Sequence, residues 1–320
     1  MPEQRNHKGR TFGRRALLGA TALAAAGSTA LTTRTAQARP NDPTTFVLVH
    51  GANGNAASFA ALTAGLAAAG HRVLPVDLPG HGPQGNFPLS YQAPQDLDGF
   101  ATAPSPVLAD VTLADNVRHV TKLVRRVARH GPVILLGHSM GGATITRVAN
   151  EVPDLIARLI YLTAFCCVEL RSVVDAFLTP EGETTLLPTI PGTGDPEQLG
   201  VNRTNWRSAD PEFIDAAREA LAADYDKAAF RAALNGFEPD EAAAVATDDA
   251  RGHPGSWGRV PRTYIRCTAD RAIPPALQDR MIDEADAATG DNRFDVRSLD
   301  APHLGPQDPA PLLRILTRLA

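Results

Sequence analysis

Short apolar runs recur along the chain with longer, helically spaced stretches between them. Thr45–Val49, His71–Asp77, Pro132–Leu136, Leu159–Leu162, Thr263–Arg266 and Phe294–Arg297 read as strands, each bounded by Gly, Pro, Asp or His. Between them lie helical patterns. One runs from about Ser58 to Ala69 and is stopped by Gly70, a residue suited to a helix C-terminus. Another starts on Thr112 and runs to about His130, with Val117, Val120, Leu123, Val124 and Val127 spaced for one buried face. A small-residue stretch after Gly141 and the segment from about Pro309 to Leu319 complete the series. This alternation predicts an α/β fold: a mostly parallel, about six-stranded sheet flanked by helices.

Two stretches break the rhythm. From Leu78 to about Asp110 the chain is rich in Pro, Gly, Ser and Asp, a loop long enough to be expected as functional or mobile. Between the fourth and fifth strands, about ninety residues contain no convincing core strand. Residues 168–258 are therefore expected to form an inserted, mainly helical cap, with 39–167 and 259–320 as the core. Asp210 before Pro211 is a helix start, and Pro239-Asp240-Glu241 is expected to be another.

The first residues follow a different logic. Arg14-Arg15, the weakly apolar stretch from Ala16 and the closing Ala36-Gln37-Ala38 predict a twin-arginine-type signal peptide over 1–38. Cleavage after Ala38 would release a folded, secreted or periplasmic protein. The apolar run falls short of the ~20 residues a bilayer span needs, so no stable membrane insertion is expected afterwards. The remaining chain of about 280 residues suits one large domain with an insertion. A net charge of -4 gives no electrostatic footprint for nucleic acid. Oligomeric state is not legible.

Pro132–Leu136 leads directly into Gly137-His138-Ser139-Met140-Gly141. A G-x-S-x-G between strand and helix is a nucleophile elbow, a tight turn that lifts the serine hydroxyl above the sheet. Glycines are expected there because side chains flanking Ser139 would collide with the neighbouring strand and helix. A serine hydroxyl needs a histidine to take its proton and a carboxylate to orient that histidine. With the order Ser, acid, His, the histidine is His253 or His303. His303, in the loop after the sixth strand, is preferred; His253, in Gly252-His253-Pro254-Gly255, reads as a solvated turn. Asp270, just past the fifth strand, is the expected acid, and Glu169, just past the fourth, is its competitor. Backbone N–H groups of Met140 and Ala52 are expected to receive the developing oxyanion. His50 is expected to brace the loop His50-Gly51-Ala52-Asn53-Gly54 without transferring protons.

No H-E-x-x-H, Cys–His spacing, calcium loop or phosphate loop occurs, so neither metal nor cofactor is implied. Cys166, Cys167 and Cys267 form an odd set at the ends of strands expected to be neighbours. A bridge from Cys267 to one of the pair and three buried free thiols are both open. Phe87, Tyr91, Phe165, Phe177, Trp206 and Trp257 are candidate pocket walls, with ordinary packing as the alternative.

These residues together resemble the α/β-hydrolase superfamily, in particular the cap-bearing serine esterase group that includes plant methyl esterases and hydroxynitrile lyases. The shared pieces are His50-Gly51-Ala52, Asp77-Leu78-Pro79-Gly80-His81-Gly82, the elbow, the Asp270 segment and His303. The resemblance implies a carboxylic-ester hydrolase acting on a small-molecule ester. Lyases of the group carry Lys directly after the histidine and Thr in the first oxyanion loop, where this chain has Leu304 and Ala52, so hydrolysis is preferred. A lyase, or a binding protein that kept the fold, are the alternatives. The loop Pro83–Asp110 and the pair Cys166-Cys167 depart from the group's pattern.

Overall fold

The computed structural model describes residues 43–320; the signal peptide expected over 1–38 lies outside them. Six parallel strands form the central sheet: β1 (Thr45–Val49), β2 (Arg72–Val76), β3 (Val133–Ser139), β4 (Arg158–Ala164), and, numbered after two strands of the insertion, β7 (Arg262–Cys267) and β8 (Asp295–Leu299). Their order is β2-β1-β3-β4-β7-β8. In chain order the helices are α1 (Ala60–Ala68), α2 (Leu97–Thr102), α3 (Leu113–Val127), α4 (Gly141–Glu151), α5 (Val173–Phe177), α6 (Pro196–Leu199), α7 (Pro211–Leu221), α8 (Lys227–Leu234), α9 (Ala243–Thr247), α10 (Pro275–Ala288) and α11 (Ala310–Thr317).

Helices cover both faces of the sheet, which is why β1 is buried at every position and reads as a continuous apolar run. Phe46 and Leu48, with Ile134, Leu136, Ile265 and Cys267, pack against α1 and α11. The alternate residues Val47, Val49, Leu135 and Tyr161 face α3, α4 and α10. Helix α3 starts where its sequence expects: Thr112 Oγ1 accepts from Asp115 N, and the Asp115 carboxylate accepts from Thr112 N. Helix α10 was not anticipated, because its apolar residues are diluted by Asp, Glu and Arg.

The insertion between β4 and β7 carries α5 to α9 and a small antiparallel ribbon, β5 (Val201–Arg203) paired with β6 (Asp240–Ala242). It has its own core, in which Trp206, Phe213, Leu221, Phe230 and Leu234 meet. Asp210 starts α7 as expected, its carboxylate accepting from Glu212 N at 2.9 Å. Pro239-Asp240-Glu241 does not start a helix. Asp240 is 1% exposed and accepts from Nε and Nη2 of Arg203, across the ribbon, at 2.6 and 2.8 Å. A buried bidentate pair outweighs the local capping preference, and α9 begins only at Ala243.

The long loop after β2 carries α2 and a small apolar core. Tyr91 and Phe100 are fully buried and stacked at 4.8 Å, and Leu108 is buried with them. Arg203 also donates to the carbonyls of Phe100 and Ala103 at 2.6 and 2.7 Å, so the ribbon holds α2 in place. The loop is packed structure whose anchors are too sparse to show a period.

Candidate active site

Ser139 ends β3 with φ +53°, left-handed backbone that a non-glycine residue adopts at a cost. Geometry gives the reason for its flanking glycines. A Cβ on Gly137 would stand 2.7 Å from Gly141 O, and one on Gly141 would stand 2.5 Å from His50 O. The turn is pinned between α4 and β1, so neither neighbour can retreat. The β3–β4 register skips Thr163, which has φ +36° and faces the same site.

Three side chains from the ends of three strands come together here. His303 Nε2 lies 3.0 Å from Ser139 Oγ, and His303 Nδ1 lies 2.8 Å from Asp270 Oδ2. Asp270 leaves β7 and is 2% exposed; His303 follows β8 and is 5% exposed. The hydrogen-bond network assigns the proton to Nδ1, leaving Nε2 to accept from the serine hydroxyl. Asp270 Oδ1 accepts from the N–H groups of Ala272 and Ile273 at 2.7 and 2.9 Å, and Oδ2 also accepts from Thr163 Oγ1. Glu169 makes no hydrogen bond to His303. His253 is exposed, with its N–H on Asn150 Oδ1.

Two further histidines support the site from behind. His138 Nε2 donates to the His303 carbonyl at 2.9 Å, tying the histidine loop to the elbow. Burial, and next the positive charge His303 can carry, push His138 down to about 4, so it stays neutral. His50 Nε2 accepts from Leu78 N at 3.1 Å while Nδ1 faces Gly51 O at 2.8 Å. Burial, followed by the neighbouring His81, holds His50 at about 4 as well. A neutral imidazole engaged at both nitrogens is a brace, the part expected of it.

Ala52 and Met140, the expected oxyanion donors, offer N–H groups with no acceptor among the described residues. The loop carrying Ala52 is clamped by the cap. Asn53, at φ +56°, donates its N–H to Glu241 Oε2 at 2.8 Å and its side-chain amide to Glu238 O at 2.9 Å; its carbonyl accepts from Glu238 N. Glu238 Oε1 accepts from Asn55 Nδ2 and Gly82 N, and His81 Nε2 lies 3.3 Å from Glu241 Oε2. Asp77 accepts from Ala56 N at 2.7 Å and leaves no room for a Cβ on Gly82. The Asp77–Gly82 motif therefore shapes the loop that carries Ala52. Thr163, His138, Glu238 and Glu241 carried no local signal, since their partners are 107 to 188 residues away in sequence.

A cavity of about 450 Å³ opens over Ser139 and His303, lined also by Ala52, Trp206, Phe237 and Leu304. Of the six aromatic candidates, Trp206 alone lines it. Tyr91, Phe165 and Trp257 are buried in the fold, Phe177 packs edge-on against Phe165, and Phe87 is 39% exposed; Phe237 was not anticipated. Cys166, Cys167 and Cys267 are free and buried. The bridge left open by the sequence does not form, because Cys267 packs on the α1/α11 face and the pair packs on the other. Among the described residues no cluster of His, Cys, Asp and Glu could hold a metal, and no helix is long and apolar enough to cross a membrane.

The family model described as the alpha/beta hydrolase family matches residues 46–315. The chain is 31% identical over 242 residues to a pyrethroid hydrolase of Sphingobium wenxiniae, covering 74% of this chain and 75% of that protein. It is 26% identical over 258 residues to methylesterase 1 of Arabidopsis thaliana, covering 74% and 82%. The crystal structure of a pyrethroid hydrolase from Sphingobium faniae aligns at TM-score 0.58 and 25% identity, over 86% of this chain and 96% of that one. On the family match, the sheet order and the strand-to-helix elbow together, this chain belongs to the α/β-hydrolase family.

Proposed function

We propose that the chain is an exported serine hydrolase that cleaves small-molecule carboxylic esters through an acyl-enzyme. The observation that carries this reading is the continuous contact from Asp270 through His303 to Ser139, at 2.8 and 3.0 Å. Similarity to proteins named as a pyrethroid hydrolase and a methylesterase supports an ester as substrate.

Ser139 Oγ attacks the ester carbonyl carbon while His303 Nε2 takes the hydroxyl proton. Asp270 keeps the proton on Nδ1 and stabilises the imidazolium that forms. The carbonyl oxygen becomes negative and is met by the N–H groups of Ala52 and Met140, donors with no acceptor among the described residues. His303 then passes its proton to the departing alkoxide, so the alcohol leaves and the acyl group stays on Ser139. A water molecule repeats the sequence: His303 removes its proton, the acyl carbon is attacked, and the acid departs as Ser139 regains its hydrogen. Leu304 beside His303 offers no cation to a departing cyanide, which favours hydrolysis over cyanohydrin cleavage.

The test is an ester panel of varied acyl length on wild type and Ser139→Ala. The variant is expected to lose turnover by several orders of magnitude, and an organophosphate probe should label wild-type Ser139 alone. Equal turnover by both proteins refutes the mechanism, and an unlabelled folded protein favours a binding role. Export rests on Arg14-Arg15 and Ala36-Gln37-Ala38. Replacing both arginines by lysine should leave the protein inside the cell with its leader attached; undiminished export of that variant excludes the twin-arginine route.

A further inference from the structure

A second cavity adjoins the first. It measures about 390 Å³ and lies against the sheet face covered by α1 and α11, under α8 of the cap. Phe59, Leu62, Leu162, Ala233 and Leu312 contribute apolar wall. Both cavities are lined by Ala52, His138, Phe237 and Leu304. That shared lining has a chemical meaning, because Ala52 carries one of the N–H groups assigned to the oxyanion. A carbonyl oxygen seated on it puts the ester carbon at the junction, and the two remaining substituents of a trigonal carbon point away from each other.

We infer that the substrate is a neutral ester with an apolar limb on each side of its carbonyl, the acyl limb in the second cavity and the alcohol limb in the first. This rests on the ester-hydrolase reading. The limbs are told apart by proton transfer: His303 must reach the leaving oxygen, and His303 lines the first cavity but not the second. Neutrality follows from the walls. Arg203 in the first cavity has its guanidinium committed to Asp240 and two carbonyls. His50 and His138 in the second are held neutral by burial. Apart from His303, whose charge the reaction itself uses, a carboxylate on either limb would lose its water without gaining an ion partner.

The experiment measures kcat/KM along two series, methyl esters of lengthening acids and acetate esters of lengthening alcohols, on wild type and on Ala233→Phe. In wild type both series should rise by about fourfold per added methylene until each cavity is full, the value of burying one methylene. In Ala233→Phe, which fills the second cavity from α8, the rise along the acid series should vanish while the alcohol series keeps its slope. That retained slope also shows that the variant is folded. A rise along one series alone overturns the inference, as does a variant that flattens the alcohol series or both series equally. Turnover of short esters with no rise on either side leaves the hydrolase reading intact and removes this one; no turnover of any ester removes both.

Discussion

Asp270 is almost fully buried yet accepts four hydrogen bonds, from His303, Thr163 and the N–H groups of Ala272 and Ile273. Those donors replace the water a carboxylate would otherwise need and fix which oxygen faces the imidazole. Thr163 is the donor a mutation can remove cleanly. Thr163→Val should lower kcat about tenfold or more with KM nearly constant, since a hydrogen bond to a charged group is worth about 1.5–3 kcal/mol. Thr163→Ser should restore most of the rate, and steady-state kinetics on the two variants would separate the hydroxyl's part from simple packing. The elbow glycines make a different prediction. Gly141→Ala forces a Cβ against the β1 backbone, so a loss on the order of 1–3 kcal/mol is expected in urea denaturation. A wild-type midpoint would mean the turn is looser than its contacts imply.

At the scale of elements, the ribbon β5–β6 ties three segments together. Arg203 holds α2 and Asp240, while Glu241 on the next position of β6 holds Asn53 beside Ala52. The cap and the loop carrying Ala52 are thereby one hydrogen-bonded unit. Glu241→Ala should lower kcat about tenfold with a smaller change in KM, because Ala52 loses the neighbour that aims it. Glu241→Gln keeps an oxygen for Asn53 N–H and should recover part of the rate; equal loss in both variants would point to charge, not positioning. Arg203→Ala strands a buried carboxylate and should cost about 3–5 kcal/mol of stability. The Pro239-Asp240-Glu241 segment shows why this element was misread from sequence. Its residues favour a helix start locally, but their partners at Asn53, His81 and Arg203 are brought in by folding.

For the whole molecule, three histidines set opposing pH responses. His50 and His138 lie at about 4 in the fold against 6.5 for an ordinary histidine, chiefly through burial. The unfolded chain binds their protons first. Their contribution is therefore whole above pH 6.5 and lost as the pH falls toward 4, on the order of 3 kcal/mol each. His81 runs the other way: burial pulls it down, but the charge and hydrogen bond of Glu241 outweigh this and raise it above 6.5. Its contribution is whole below pH 6.5 and fades as the pH climbs through that raised value. Thermal melts should thus show a steep acid limb between pH 6.5 and 4. His138→Gln, which can still donate to the His303 carbonyl, should make that limb shallower; an unchanged limb would exclude His138 as a contributor. The thiols give a simpler check. Burial raises all three, Cys166 to about 12, so a thiol reagent should find none in the native protein and three after denaturation without reductant.

The strands, the elbow and the sheet that carries it were legible because each is written in neighbouring residues: apolar runs bounded by turn formers, and glycines two positions either side of Ser139. Chain order left His253 or His303 and Glu169 or Asp270, and position after the fifth and sixth strands favoured Asp270 and His303; the fold brings the serine and histidine into contact across more than 160 positions. What local pattern could not hold was everything made of a single residue meeting a distant one. Thr163 on Asp270, His138 on the histidine loop, Glu241 on Asn53 and the placing of Phe237 and Leu304 in the pocket wall exist only once the chain has closed. The thiols lie on opposite faces for the same reason: Cys267 ends β7 facing α1 and α11, whereas the chain leaving β4 carries Cys166 and Cys167 to the other side, and the spacing of cysteines records neither.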